Sequence, residues 1–214
     1  MLVSHLHKFI FIKTVKTAGT STEAFLEKFC IDPSLSESYE AQHSANETET
    51  KYGIIGSRWK GLTGKRKWYN HKPVKEIKRD LGKDVFDSYH KVCNIRNPYD
   101  LAVSYYHFMG NKDVDKDRFE AFLRNPATLR TLSTNTGLWS DDGEYNFNYI
   151  RMENLTGDLE SFLNKVGIKE SVFELPHFKK TEGRTHFRSY YNDNSKEIVD
   201  NLYGKEIKLF SYFF

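Results

Sequence analysis

The chain lacks most of what would mark a metalloprotein, a disulfide scaffold or a membrane protein. Its 214 residues include only two cysteines, Cys30 and Cys93, with no Cys-x-x-Cys pair and no histidine at ligand spacing. That argues against a zinc site or a disulfide framework and predicts two buried thiols. No long apolar run occurs: Phe9-Ile10-Phe11-Ile12, bounded by Lys8 and Lys13, is far short of a signal sequence or of the ~20 residues that a membrane span needs. A cytoplasmic protein without a membrane span is therefore expected. No repeat or low-complexity tract is present, and neither sign of charge dominates, with 32 Lys and Arg against 29 Asp and Glu. So small an imbalance requires no nucleic-acid or membrane partner, and any affinity for anions must come from where the charges sit.

What is present is the composition of a globular domain: 38% hydrophobic, 15% aromatic and 29% charged. A chain of this length should bury roughly 70% of its unfolded surface, enough for one core without covalent staples. Strand and helix patterns alternate along it. Residues 8–14 read as a buried strand, followed by a helix that Thr20 or Ser21 can cap and that carries Ala24, Phe25 and Phe29 on one face before Asp32-Pro33. Residues 34–51 are polar and read as a surface loop. Residues 52–56 are a short strand, and Val74, Ile77 and Leu81 share the face of a helix that Pro73 begins and Gly82 ends. A strand over 89–95 breaks at Arg96-Asn97-Pro98, after which Asp100 is expected to cap an aromatic-rich helix through Phe108. A short helix around Phe119, Phe122 and Leu123, a strand over 146–151, and helices over 155–166 and after Asn194 complete the pattern. Such alternation predicts an α/β fold, a single domain over residues 1–214 with a central, mainly parallel sheet flanked by helices.

Two segments carry chemistry. The first is Lys16-Thr17-Ala18-Gly19-Thr20-Ser21, between the first strand and its helix. A helix N-terminus presents backbone N–H groups and a positive dipole end, a Gly admits close approach, and Lys16 with the hydroxyls adds charge and donors, so the loop suits a phosphate. The Lys precedes the Gly, unlike the Walker arrangement, and no metal-holding carboxylate stands nearby, which disfavours magnesium-dependent phosphoryl transfer. An ordinary βα turn with a solvated Lys is the plainer reading. The second segment is Arg96-Asn97-Pro98 at the end of a strand, with Ser104 on the next helix. Arg96 and Ser104 suit an anion at the carboxyl edge of the sheet. A structural Arg paired with Asp100 is the alternative.

These residues carry a family resemblance. FIFIKTVKTAGTS, from Phe9 to Ser21, resembles the 5′-phosphosulfate loop of sulfotransferases that use 3′-phosphoadenosine 5′-phosphosulfate (PAPS). CNIRNPYDLAVSYY, from Cys93 to Tyr106, resembles their 3′-phosphate segment. The order of the two motifs matches the family. YIRMENL, from Tyr149, with the helix to Gly167, is similar to a late strand and helix of the carbohydrate-type and bacterial members, and the aromatic C-terminal end fits as well. Val15 stands where Pro is usual, Ala18 where Gly is common, and Leu101 where a second Arg is frequent.

The resemblance implies a P-loop-like sulfotransferase fold and transfer of a sulfuryl group from PAPS, as co-substrate and without a metal, to a hydroxyl of a carbohydrate or small metabolite, possibly anionic. It implies catalytic roles for Lys16, at the leaving phosphate, and for His71, which precedes the Pro73 helix, as base; Glu23 is the carboxylate alternative. It implies cofactor contacts from Lys16, Thr17, Ala18, Gly19, Thr20 and Ser21, from Arg96 and Ser104, and from Lys179 and Arg184 in a late basic loop. That loop reads equally well as solvated. Residues 31–70 and 110–145 match nothing in the family and are expected on the variable, acceptor side. The basic, aromatic stretch over 58–72 is expected to frame the acceptor and to steer an anionic one, with no stable nucleic-acid complex. Two alternatives stand beside this reading: an atypical nucleotide-dependent kinase, and a non-catalytic module that binds adenosine 3′,5′-bisphosphate or nucleic acid.

Overall fold

The apolar run at Phe9–Ile12 forms a strand, as its sequence predicts. The structure is a computed structural model and describes residues 1–41, 46–58, 66–139, 146–169 and 184–214. In chain order its elements are β1 (Leu2–Ser4), β2 (Phe9–Ile12), α1 (Gly19–Leu26), β3 (Thr48–Glu49), β4 (Gly53–Ile55), α2 (Val74–Leu81), α3 (Lys83–Ser88), β5 (His90–Ile95), α4 (Pro98–Phe108), α5 (Lys116–Arg124), α6 (Pro126–Trp139), β6 (Phe147–Arg151), α7 (Leu155–Lys165) and α8 (Asp193–Phe210). This is an α/β arrangement. Among the described residues no helix is long and apolar enough to cross a membrane.

The residues gather into two compact units. One comprises the described parts of Met1–Thr14, Ala18–Ile95 and Leu138–Phe178; the other comprises those of Val15–Thr17, Arg96–Gly137 and Lys179–Phe214.

The first unit holds a six-stranded sheet in the order β3-β4-β1-β2-β5-β6. The sheet is mixed. β2 pairs with β5 and β5 with β6 in parallel, as the strand and helix alternation anticipates, whereas β1 pairs antiparallel with β2 and β4, and β4 with β3. The antiparallel half arises because β1, too short to register as a pattern, returns directly into β2. Every residue of β1, β2 and β4 is buried, which is why β2 reads as an unbroken apolar run rather than an alternating one. One core joins Phe9 and Phe11 of β2, Val92 of β5 and Ile150 of β6 to Phe25 and Leu26 of α1 and to Leu159, Phe162 and Leu163 of α7. Phe9 meets Phe162 edge-on, with ring centroids 5.8 Å apart, and each buried side chain of this size contributes about 1.5–3 kcal/mol. Cys30 and Cys93 are buried free thiols whose pKa values burial raises.

The second unit is helical. Tyr99, Ala102 and Tyr106 of α4, Phe119 and Leu123 of α5, Leu132 of α6, and Val199 and Tyr203 of α8 share its core with Tyr190 and Tyr191. Two of its buried tyrosines bond backbone carbonyls: Tyr191 donates to that of Tyr99 at 2.8 Å, and Tyr203 to that of Leu132 at 2.6 Å. Phe119, Leu123 and Leu132, from the described part of residues 110–145, belong to this core.

Two capping expectations change. Asn97, not Asp100, caps α4: its side chain accepts from the Tyr99 N–H, Pro98 occupies the first turn where it lacks nothing, and Asp100 falls inside the helix. Likewise Ala18 precedes α1 without a side-chain cap, and Thr20 and Ser21 lie within its first turn. Asn192 and Ser195 form a reciprocal capping box at the start of α8.

Candidate functional site

The chain leaves β2 through Lys13 and Thr14, both still buried. The Thr14 hydroxyl donates to the carbonyl of Asn94 on β5 at 2.6 Å. The backbone then enters the left-handed region at Lys16 (φ 60°) and at Ala18 (φ 62°), before Gly19 opens α1 and the amides of Ser21 and Thr22 bond the Ala18 carbonyl at 3.0 and 3.3 Å. Left-handed backbone costs a residue with a Cβ roughly 1–2 kcal/mol. Lys16 and Ala18 both bear that strain, Ala18 where the resembled loop commonly has Gly; Gly19 has no positive φ.

In the second unit, Lys16 meets the other motif. Arg96 Nη1 donates to the Lys16 carbonyl at 3.0 Å. The same guanidinium grips Asp100, with Nε 2.8 Å and Nη2 2.6 Å from Oδ2. Arg184 pairs with the other oxygen of Asp100. One carboxylate thus orients two guanidiniums, and their sum remains positive. The backbone beside Lys16 is held from α6: Val15 N–H donates to Asn135 Oδ1 at 2.6 Å, and Asn135 Nδ2 donates to the Val15 carbonyl at 2.9 Å. The Lys16 ammonium lies 4.2 Å from the centroid of the Phe108 ring, an attraction of ~0.5–2 kcal/mol. Ser104 is 8% exposed and Thr17 is 1% exposed.

Of the residues read as anion contacts, the second unit therefore joins Lys16 to Arg96 by a hydrogen bond and Arg96 to Arg184 through Asp100, and contains Thr17 and Ser104. Ala18, Gly19, Thr20, Ser21 and His71 belong to the first unit. Lys179 lies outside the described residues. Sequence reasoning noted Asp100 only as a helix cap or an Arg96 partner; its bridge to Arg184, far along the chain, left no local signal. Asn135 was missed, since nothing in a Ser- and Thr-rich helix distinguishes one amide.

In the first unit, His71 stands in a turn at φ 57°. Its Nδ1 is 2.9 Å from the Lys13 carbonyl. A carbonyl only accepts, so Nδ1 carries the proton and Nε2 is left as the acceptor, the tautomer a general base needs. Burial, followed by the Lys13 charge, lowers the His71 pKa to about 4, which keeps the imidazole neutral at pH 7. Glu23, the carboxylate alternative, is differently placed. It is fully buried, and its oxygens meet the Met1 ammonium at 2.6 Å, Lys13 Nζ at 2.6 Å and Arg58 Nη1 at 3.4 Å. Burial alone would raise its pKa; these cations outweigh burial and bring it to about 2. So acidic a carboxylate, enclosed by cations, is a structural anion and a poor proton acceptor.

The basic stretch over 58–72 is described at residue 58 and from 66 onward. Arg58 is buried against Glu23 and Glu27, Lys67 pairs with Glu49, and Lys72, 2% exposed, pairs with Glu76 and Asp80. These three each have a carboxylate partner, whereas Arg66 donates to the Ser57 hydroxyl at 2.5 Å. Trp59, Lys60 and Lys65 lie outside the described residues.

No protein-family model matches the chain, and a search of the curated proteins returns no match.

Proposed function

We propose that the chain transfers a sulfuryl group from PAPS to an acceptor hydroxyl on a carbohydrate or small metabolite, within a P-loop-like sulfotransferase fold. The observation that carries this reading is the bond from Arg96 to the Lys16 carbonyl, since it joins the two motifs that resemble the 5′-phosphosulfate and 3′-phosphate segments. The parallel pairing of β2 with β5 supports it, because open sheets bind ligands beyond the carboxyl ends of such strands.

In the proposed step the acceptor oxygen attacks sulfur in line as the bond from sulfur to the bridging phosphate oxygen breaks. The hydroxyl proton passes to His71 Nε2, and the negative charge growing on the departing phosphate is met by the Lys16 ammonium. An electrostatic donor of this kind is worth roughly 10²–10³ in rate, and a positioned base roughly 10²–10⁴. Arg96, Ser104 and Arg184 hold the 3′-phosphate in this reading, with Asp100 keeping both guanidiniums in place between turnovers.

The test is transfer of labelled sulfate from PAPS to a panel of glycans and small alcohols, run in excess chelator. Lys16→Ala and His71→Ala should remain folded and lose at least a hundredfold in rate. Wild-type rates in both variants would remove the reading, and turnover that requires magnesium and ATP would replace it with phosphoryl transfer.

A further inference from the structure

Lys13 touches the His71 turn at two points. Its carbonyl holds His71 Nδ1 at 2.9 Å, and its ammonium reaches Oδ1 of the preceding Asn70 at 3.4 Å. The same ammonium is anchored 2.6 Å from Glu23 Oε2. Both charged groups are buried, Lys13 to 5% and Glu23 to 0% exposure. A buried ion pair seldom adds stability over an apolar pair of equal size, and its best attested use is to fix one arrangement among several. Here the arrangement fixed is a turn that holds a non-glycine residue at left-handed φ.

We propose that Lys13 and Glu23 are positioning residues for His71: Glu23 on α1 anchors the Lys13 ammonium, and Lys13, through its carbonyl and its charge, sets the ring's orientation, tautomer and basicity. The proposal rests on the reading of His71 as the base and deepens it. The charged groups acting on His71 are Lys13 at the end of β2, Glu23 on α1 and the Met1 ammonium at the start of β1. Lys13 and the Met1 ammonium disfavour an imidazolium, and Glu23 favours one. The ring therefore stays neutral, with Nε2 able to take a proton, well below the pH at which an ordinary histidine would be charged. The acid limb of the rate profile then lies near pH 4 rather than 6.5.

The two partners act with opposite sign, and this gives the test. The His71 ring is titrated by nitrogen-detected NMR on the full chain, with His71→Gln assigning its signals. Wild type should show the proton on Nδ1 and a midpoint near 4. Lys13→Met should raise the midpoint by about one pH unit, and Glu23→Gln should lower it further. Movement of both variants toward 6.5 with loss of the single tautomer, as mere loosening of the turn would cause, overturns the proposal, as does no movement in either. Should a variant fail to fold, the wild-type titration decides: a proton on Nε2, or a midpoint near 6.5, refutes it. The titration needs no turnover, so it is distinct from the activity of His71→Ala, which tests the base itself.

Discussion

Replacing Glu23 by Gln should cost the first unit up to about 3 kcal/mol at pH 7, and this cost should disappear in acid. Glu23 falls from an ordinary pKa of 4.5 to about 2 in the folded chain, and each pH unit of difference is about 1.4 kcal/mol of stability. Burial lowers the pKa of the Met1 ammonium and of Arg58 at the same time, which offsets part of the gain, so 3 kcal/mol is a ceiling. The sign follows from proton binding. Between pH 4.5 and 2 the unfolded carboxylate holds a proton that the folded one does not, so the stabilisation is complete above 4.5 and is lost as pH falls toward 2. His71 adds a second slope of the same sign, because its pKa drops from 6.5 to about 4 on folding. Its penalty is absent above 6.5 and grows as pH falls to 4. Urea unfolding at pH 7, 5 and 3 would measure both, followed by tryptophan fluorescence with Trp68 wholly buried in this unit. Wild type should weaken between pH 7 and 5 through His71, and Glu23→Gln should weaken in parallel. The gap between them should then narrow by about half at pH 3, since the folded carboxylate takes up its proton only near pH 2. A gap under about 1 kcal/mol at pH 7, or one that stays constant down to pH 3, would refute the electrostatic account of this cluster.

Two other substitutions probe the two units separately. Gly53→Ala would set a Cβ 2.3 Å from the Val3 carbonyl oxygen and 2.6 Å from that of Cys30. Neither backbone atom can rotate away, so a loss of about 3 kcal/mol is expected; an unchanged melting temperature would contradict the packing of β1 against β4. Asp100→Asn removes the charge shared by Arg96 and Arg184 and should lower stability by about 2 kcal/mol. Inorganic sulfate should then raise the melting temperature more in the variant than in wild type, because an anion can take the place of the carboxylate. Equal shifts would mean that the two guanidiniums are purely structural.

The amino-acid sequence by itself determined the elements whose signals are local. The apolar run at Phe9–Ile12 is a strand, the spacing of Val74, Ile77 and Leu81 is a helix face that Gly82 ends, and the segments at His90–Ile95, Phe147–Arg151 and Leu155–Lys165 lie where their patterns put them. It also singled out Lys16 and Arg96, which the fold joins by a hydrogen bond. Signals too weak to read were missed: β1 is only three residues long, and α6, rich in Ser and Thr, has little helix propensity and forms because Leu132 is needed in the core. The partners of the charges were decided by tertiary structure alone. Nothing local marks Lys13, Glu23, Arg58 and Lys72 as buried, yet all four form ion pairs in the interior. Asp100 reads as a helix cap or as an Arg96 partner; Asn97 takes the cap, the pair with Arg96 is present, and the second bond, to Arg184, had no local signal. Periodicity records which face of an element is apolar, a property of neighbouring residues; the sign and partner of a buried charge depend on which elements meet, and only the folded chain sets that.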